Sequence, residues 1–162
     1  MPTLTVLVGL PGSGKSTSIP EDFNGFVYST DRYIEAEAAS EGKTYSECFK
    51  DCIKDATSAM DNSLKFSIEQ RKDVIWDQTN VSDKKRRGII SRFPSSYHKI
   101  CVCRVPPRDD AEWAELMKRV ASREGKVIPH HIIYSMADTY VCPSLEEGFD
   151  EVRLFDIYGN QI

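Results

Sequence analysis

The sequence predicts an α/β fold in which a five-stranded parallel sheet carries helices on both faces. Apolar, β-branched runs typical of buried strands begin near residues 3, 26, 73, 99 and 151. Stretches with helical periodicity separate these runs, and such an alternation favours a parallel sheet. The chain has 162 residues, 40% of them hydrophobic and 28% charged, which suits one domain with a sizeable core. We therefore expect residues 1–162 to form a single domain.

The first strand-like run, Thr3–Val8, leads directly into a phosphate-binding loop motif. Gly9-Leu10-Pro11-Gly12-Ser13-Gly14-Lys15-Ser16-Thr17 fits the pattern G-x-x-x-x-G-K-[ST]. Its glycines allow the backbone to turn its N–H groups toward a polyphosphate. Lys15 is expected to bind the β- and γ-phosphates, and Ser16 to supply a hydroxyl ligand for Mg²⁺. A helix following the loop would direct its N-terminal dipole at the same anion. The alternative is a glycine-rich turn that binds no ligand.

The second unit places a carboxylate where it can face this loop. Phe26–Ser29 is predicted to be a short strand, and Asp31 follows its carboxyl end, where ligands collect in open α/β sheets. Asp31 is therefore a candidate general base, although it could serve only to start the next helix. That helix is predicted over 33–39. A longer one follows from Tyr45 to Gln70, with an apolar face that predicts core packing, formed by Phe49, Ile53, Ala56, Met60, Leu64 and Ile68.

The third unit repeats the pattern of a strand that ends in polar residues. Asp73–Asp77 is the strand, and Asp77 stands where P-loop enzymes often keep an acidic residue that orders the water shell of Mg²⁺. Gln78, Thr79 and Asn80 follow. Ser82 is predicted to cap a helix that carries Lys84–Arg87, the most basic run of the chain. This run is either a solvated helix face or a contact for polynucleotide phosphates.

The last third of the chain contains a candidate lid. A strand is predicted over 99–105, a helix capped by Asp109 or Asp110 follows, and the last strand covers about 151–157. Residues 118–140 contain no strand-like run and are helical in pattern, so they are predicted to form a lid over the phosphate loop. Arg119 and Arg123 lie four residues apart, on one helix face, and could close over the phosphates. Surface ion pairing is the alternative for both.

Composition limits the classes of partner and the compartment. The formal net charge of −4 argues against a large nucleic-acid footprint, so a polynucleotide would have to be held in a locally basic groove. The five cysteines are odd in number and have no zinc-like spacing with the three histidines, which favours free thiols. No signal peptide or membrane-spanning stretch is evident, so we expect a cytoplasmic protein without a membrane partner.

Several segments of the chain resemble the kinase module of the polynucleotide 5′-kinase family, and together they cover almost its whole length. They are Gly9–Thr17; Thr30–Tyr33; Asp77–Asn80 with Arg86 and Arg87 downstream; and Glu115–Arg119 leading to Arg123, Lys126 and Pro129. The tail Cys142–Phe149 is also similar to the end of the animal kinase module. No D-x-D-G-T phosphatase motif occurs, so the resemblance is to a kinase-only chain.

The resemblance implies a P-loop kinase fold with a helical lid, which uses ATP and Mg²⁺ to phosphorylate a 5′-hydroxyl end of DNA or RNA. It implies that Asp31 is the general base, that Arg123 is the lid arginine on the transferred phosphate, and that Thr79 and Asn80 line the acceptor path. In the phage enzymes an arginine three residues after the base grips the acceptor's 3′-phosphate, whereas this chain has Ile34. Further candidate contacts are Arg119 for the nucleotide and, for the acceptor, Arg32 and Arg87.

Two other functions stay open at this point. The chain could be a kinase for a nucleoside, a nucleotide or a hydroxymethylated base in DNA, which the negative charge and Ile34 favour. It could instead be a module that binds nucleotide as a switch without catalysis. A switch needs no acceptor base, so Asp31 argues against it, and the Asn/Thr-Lys-x-Asp motif of guanine-binding switches is not present.

Overall fold

The computed structural model describes residues 1–162, which form five strands and five α-helices. The strands are β1 (Thr3–Val8), β2 (Phe26–Tyr28), β3 (Val74–Asp77), β4 (His98–Arg104) and β5 (Glu151–Phe155). The helices are α1 (Thr30–Glu41), α2 (Tyr45–Glu69), α3 (Asp83–Ile90), α4 (Asp110–Ala121) and α5 (His130–Thr139). One-turn 3₁₀ helices occur at Lys15–Ser18 and Leu145–Glu147. No helix is both long enough and apolar enough to cross a membrane.

The five strands form one parallel sheet in the order β2-β3-β1-β4-β5. β1 is central and pairs with β3 in a register that sets Leu7 opposite Asp77. The carboxyl end of β3 therefore lies beside the start of the phosphate loop that follows β1. The predicted parallel α/β sheet is confirmed, and its topology brings the polar residues after β1, β2 and β3 to one edge.

The helix expected after the phosphate loop is only a single 3₁₀ turn, Lys15–Ser18. Ile19 leaves the turn in an extended conformation, with φ −83° and ψ 117°. The cause is Pro20, because a proline disfavours the helical conformation of the residue before it. The prediction of a following helix whose dipole points at the anion is therefore wrong here. The loop's own N–H groups and Lys15 are the groups left that could bind an anion.

The core has a large part on one face of the sheet and a small part on the other. The large part surrounds Trp76 and Tyr28, whose rings stack 3.7 Å apart. On the opposite face Leu7, Ile75 and Val102 pack against side chains that include Ile19 and Phe23. A separate cluster joins α1 to α2 and contains Ile34, which is fully buried.

The basic run on α3 is divided by burial. Arg86 is fully buried and holds Glu147 through two bonds, Nε to Oε1 at 2.6 Å and Nη2 to Oε2 at 3.0 Å. Its Nη1 also donates to the carbonyl of Asn80, and its Nη2 to that of Val141. Arg86 is thus a structural clamp between the loop after β3 and the segment after α5, whereas Lys84, Lys85 and Arg87 are exposed.

Candidate active site

The phosphate loop has the glycine-dependent backbone that its sequence predicts. Gly12 and Gly14 have φ values of +80° and +90°, which side chains other than glycine rarely adopt. A Cβ at Gly9 would lie 2.4 Å from Ser13 Oγ, so this position is also restricted to glycine. Ser13 Oγ is buried without a hydrogen-bond partner. A buried unpartnered hydroxyl in a loop of this shape fits a site built for a polar ligand.

The two predicted Mg²⁺ ligands lie together at the edge of the sheet. Ser16 Oγ donates a hydrogen bond of 3.0 Å to Asp77 Oδ2. Asp77 is buried at the end of β3. A hydroxyl oxygen and a carboxylate oxygen are the hard donors that Mg²⁺ takes, with water and phosphate oxygens completing its shell. This pair therefore fits an Mg²⁺ ion between the loop and β3.

Positive charges converge on Lys15. Burial lowers the pKa of Lys15; Asp77 and Asp31 raise it in part, and the nearby cations Lys126 and Arg123 lower it further. Cations that repel one another in a shared site are stabilised when an anion binds among them. The electrostatics of this cleft therefore suit a polyphosphate.

Asp31 is held on both of its carboxylate oxygens. The hydroxyl of Tyr45 donates to Oδ1 at 2.5 Å, and Nζ of Lys126 donates to Oδ2 at 3.0 Å. Burial opposes the charge on Asp31, but the Tyr45 hydrogen bond, then Lys126 and then Lys15 outweigh it and lower the pKa of Asp31. Asp31 is therefore an ionised, oriented carboxylate at physiological pH.

The segment between α4 and α5 is docked on the start of α2. Ser46 N donates to the carbonyl of Gly125 at 3.2 Å, and Val127 N donates to Ser46 Oγ at 3.1 Å. Lys126, between them, also lies 4.3 Å from the centre of the Tyr45 ring. These contacts place the cation of Lys126 on Asp31.

The prediction that Arg119 and Arg123 share one helix face is wrong, because α4 ends at Ala121 and Arg123 follows its C-cap. The two arginines face different parts of the site. Arg119 Nη1 donates to the carbonyls of Ile157 at 2.9 Å and Gly12 at 3.5 Å, so it lies against the phosphate loop. Arg123 pairs with Glu35 at 3.4 Å, one turn after Asp31 on α1. Arg119 therefore lies beside the phosphate loop, and Arg123 lies close enough to Lys15 for its charge to lower the pKa of that lysine.

Two adjoining cavities meet at Asp31, Phe49 and Thr79. The polar cleft, of about 400 Å³, extends from these residues past Gln78 to Lys85 at the start of α3. The second cavity, of about 430 Å³ and called the lid cavity after the predicted lid segment that lines it, extends the other way to Pro11 of the phosphate loop. Its apolar lining includes Val127, Ile128, Ile132 and Met136. Asp31 thus borders the phosphate loop on one side and an open cleft on the other.

The structure does not bring every predicted contact residue to these cavities. Thr79 lines both cavities and Asn80 lines the polar cleft. The amide of Asn80 donates to the carbonyls of Leu7 and Gln78, which leaves its buried Oδ1 without a partner. Arg32 and Arg87 line neither cavity, and Arg87 donates instead to the carbonyl of Glu146.

Sequence patterns do not single out two of the residues at this site, Tyr45 and Phe49. The periodicity of α2 assigns Phe49 to the core stripe, but this residue is 42% exposed, because it faces the cavities rather than the sheet. A signal for Tyr45 is available, since Thr44 and Glu47 form a capping box that fixes the first turn of α2. No sequence pattern shows which helix face meets Asp31.

Comparisons with known proteins agree with this fold. The model of the AAA domain family matches residues 4–141. A chain from a structural study of the PezAT chromosomal toxin–antitoxin system of Streptococcus pneumoniae superposes with a TM-score of 0.64 at 14% identity, covering 100% of this chain and 70% of that one. A chain named as a candidate kinase, from Chloroflexus aurantiacus, superposes with a TM-score of 0.63 at 15% identity, covering 96% and 88%. At these identities the likeness shows a shared fold, that of the P-loop kinases.

Proposed function

Because this chain belongs to the AAA domain family and has the fold of P-loop kinases, we propose that it is an ATP-dependent kinase. Its acceptor would be a free 5′-hydroxyl end of DNA or RNA. The observation that carries the proposal is the position of Asp31, which shares the lid cavity with Pro11 of the phosphate loop and shares the polar cleft with Thr79 and Lys85. A module that only binds nucleotide has no use for an oriented carboxylate at that junction.

In the proposed reaction each of the site residues has one role. The phosphate loop and Lys15 would hold the triphosphate, with Ser16 and Asp77 holding Mg²⁺, which neutralises charge on the phosphate oxygens when bound. Asp31 would orient the acceptor hydroxyl and take its proton. The acceptor oxygen would form a bond to the γ-phosphorus as the bond from that phosphorus to the β,γ-bridging oxygen breaks, and ADP leaves. Arg123, and Arg119 from the loop side, would stabilise charge on the transferred group.

A kinase for a nucleoside, nucleotide or hydroxymethylated base is the second candidate. The lid cavity favours it, because its apolar lining suits a single base rather than a charged backbone. The polar cleft favours the first candidate, because it continues beyond a single nucleotide toward the lysines of α3.

A phosphate-transfer panel tests the proposal. The protein would be incubated with γ-labelled ATP and Mg²⁺, together with a 5′-hydroxyl oligonucleotide, deoxynucleoside monophosphates or a hydroxymethylated duplex. We expect label in the oligonucleotide and none in the same oligonucleotide already phosphorylated at its 5′ end. The Lys15→Ala variant is the control for a contaminating kinase. Label confined to the monophosphates, or to the hydroxymethylated duplex, would contradict the first candidate and support the second.

Replacing Tyr45 with phenylalanine is expected to move the acid limb of the pH profile of kcat/KM to higher pH. The Tyr45 hydroxyl lowers the pKa of Asp31, together with Lys126 and Lys15. Without that hydrogen bond the pKa of Asp31 rises, so the base becomes protonated at a higher pH and activity is lost sooner as pH falls. The measurement is kcat/KM from about pH 3 to pH 8, because the acid limb set by the lowered pKa of Asp31 lies at acidic pH.

Tyr33→Phe is the matched control, because Tyr33 lies on α1 and makes no bond to Asp31. Its acid limb should coincide with that of the wild type. If Tyr45→Phe loses activity equally at every pH, Tyr45 only supports the packing of α2 and does not tune the base.

A further inference from the structure

The outer face of α3 forms a cleft that the proposed chemistry does not use. This cleft, of about 440 Å³, is lined by seven residues, which include Lys84, Lys85, Gly88 and Arg92, and none of the seven is a carboxylate. It is separate from Arg86, which is buried and bound to Glu147. The basic run therefore contains one structural arginine, Arg86, and two lysines that line this cleft, Lys84 and Lys85.

The charges of this cleft are poorly neutralised by the protein. Lys84 and Lys85 are in no ion pair, and Arg92 pairs only with Asp61, which also accepts a bond from the Tyr28 hydroxyl. Burial, and then the nearby charge of Arg92, lower the pKa of Lys85, and the Asp61 carboxylate raises it in part. Three cations so arranged in a chain of net charge −4 make the locally basic groove that a polyanion would require.

Gly88 leaves a space in this cleft that a side chain would otherwise fill. It lies in the interior of α3, four residues after Lys84, so these two residues share a helix face, and Arg92 follows in the turn after the helix ends at Ile90. A Cβ built at Gly88 would meet nothing within 4 Å. A glycine at such a position costs about 1 kcal/mol of helix stability relative to alanine, with no packing gain that requires it. Its effect is to let a ligand approach the helix backbone between the cations.

This cleft continues the polar cleft that begins at Asp31. The two share Ser82 and Lys85, and so form one path from the candidate base to α3. A chain that enters with its terminal hydroxyl at Asp31 would pass Lys85 and then reach Lys84 and Arg92. The sign of charge along this path suits successive phosphates.

We propose that the basic surface formed by Lys84 and Lys85 of α3 and by Arg92 just after this helix, around Gly88, binds the phosphodiester backbone of a polynucleotide acceptor beyond its reacting nucleotide. This inference rests on the proposed function, because it assigns the direction in which the acceptor leaves the site. The inference also explains how a protein of negative net charge would hold a polyanion, because the contact is confined to this one basic surface.

A charge-specific pair of variants tests the inference and leaves every side chain of the cleft in place. Gly88→Glu introduces a carboxylate between the cations, and Gly88→Gln introduces a neutral group of the same size there. Both residues favour a helix more than glycine does, so both variants should fold. The measurement is the Kd for a single-stranded 5′-hydroxyl oligonucleotide of about 12 nucleotides, labelled at its 3′ end, from 50 to 200 mM salt.

We expect Gly88→Glu to bind the oligonucleotide roughly tenfold more weakly than Gly88→Gln at low salt, because it opposes the phosphate charge. The slope of log Kd against log salt should fall by about 0.7 for each phosphate that the variant no longer neutralises. Lys84→Gln should lower the slope in the same way, and Lys54→Gln, which changes an exposed lysine on α2, should leave it unchanged.

The two proposals fail in different ways. Equal Kd values and slopes for Gly88→Glu and Gly88→Gln would overturn the α3 surface even if the oligonucleotide is phosphorylated. Conversely, an absence of transfer to any 5′-hydroxyl end would overturn the proposed function, whatever the binding experiment shows.

Discussion

Replacing Asp31 with asparagine is expected to lower kcat for phosphate transfer about 10³-fold, which is the range for removing a general base. Asparagine keeps the size of the side chain and can still accept the bond from the Tyr45 hydroxyl, but it cannot take a proton from the acceptor. Binding of ATP should stay near the wild-type value, because Asp31 does not belong to the phosphate loop. The measurements are single-turnover transfer from labelled ATP and the Kd of ATP.

Glu37→Gln is the matched control for this variant. It removes a carboxylate from the same helix at a position that is in no ion pair, so transfer should be unchanged. If Asp31→Asn transfers phosphate at the wild-type rate, Asp31 is only a helix-start residue and the base must be sought elsewhere. If it loses ATP binding in proportion to activity, its role lies in holding the donor.

The sequence predicts the part of the site that depends on short-range pattern and on strand order. The phosphate loop is contiguous, so its glycines and Lys15 follow from one motif. Ser16 and Asp77 are 61 residues apart, yet their contact follows from a parallel sheet, because the ends of adjacent parallel strands meet at one edge. The same rule places Asp31 near the loop.

The rest of the site depends on how helices pack against one another, which periodicity does not specify. Tyr45 reaches Asp31 only because the first turn of α2 lies beside the start of α1, and Lys126 reaches it only because the segment after α4 contacts Ser46. Phe49 shows the same limit: its spacing matches the core stripe, but the start of α2 extends beyond the sheet, so the ring faces a cavity. The resemblance also draws attention to Ile34, which packs in the core and faces no acceptor.

The structural role of Arg86 is also hard to predict from the sequence, because this residue belongs to a basic run. A basic run suggests solvent or phosphate contacts, but a helix turns by about 100° per residue, so neighbours in a run face different surroundings. Arg86 shares its inward face with Ile89, three residues on, which is also buried. Helical periodicity applied without regard to residue type would place Arg86 in the interior.

Replacing Arg86 with alanine is therefore expected to lower the free energy of unfolding by about 3–5 kcal/mol, the cost of breaking one side of a buried ion pair. The change leaves the buried Glu147 carboxylate without its cation and frees the carbonyls of Asn80 and Val141. The measurement is equilibrium unfolding in urea. Arg87→Ala is the control, because this neighbour is exposed and should change stability by less than about 0.5 kcal/mol.

A double variant separates the ion pair from simple packing. Arg86→Met combined with Glu147→Leu removes both charges and keeps similar volume, so it should recover much of the stability that Arg86→Ala loses. Arg86 also anchors the loop that carries Thr79 and Asn80. The double variant should therefore transfer phosphate more slowly than the wild type even where its free energy of unfolding is recovered. If Arg86→Ala unfolds at the same urea concentration as Arg87→Ala, the clamp contributes nothing to the fold. The loop after β3 must then be held by its other hydrogen bonds, which include those from the Asn80 amide, from Gly9 N to the Thr79 carbonyl and from Val141 N to the Val81 carbonyl.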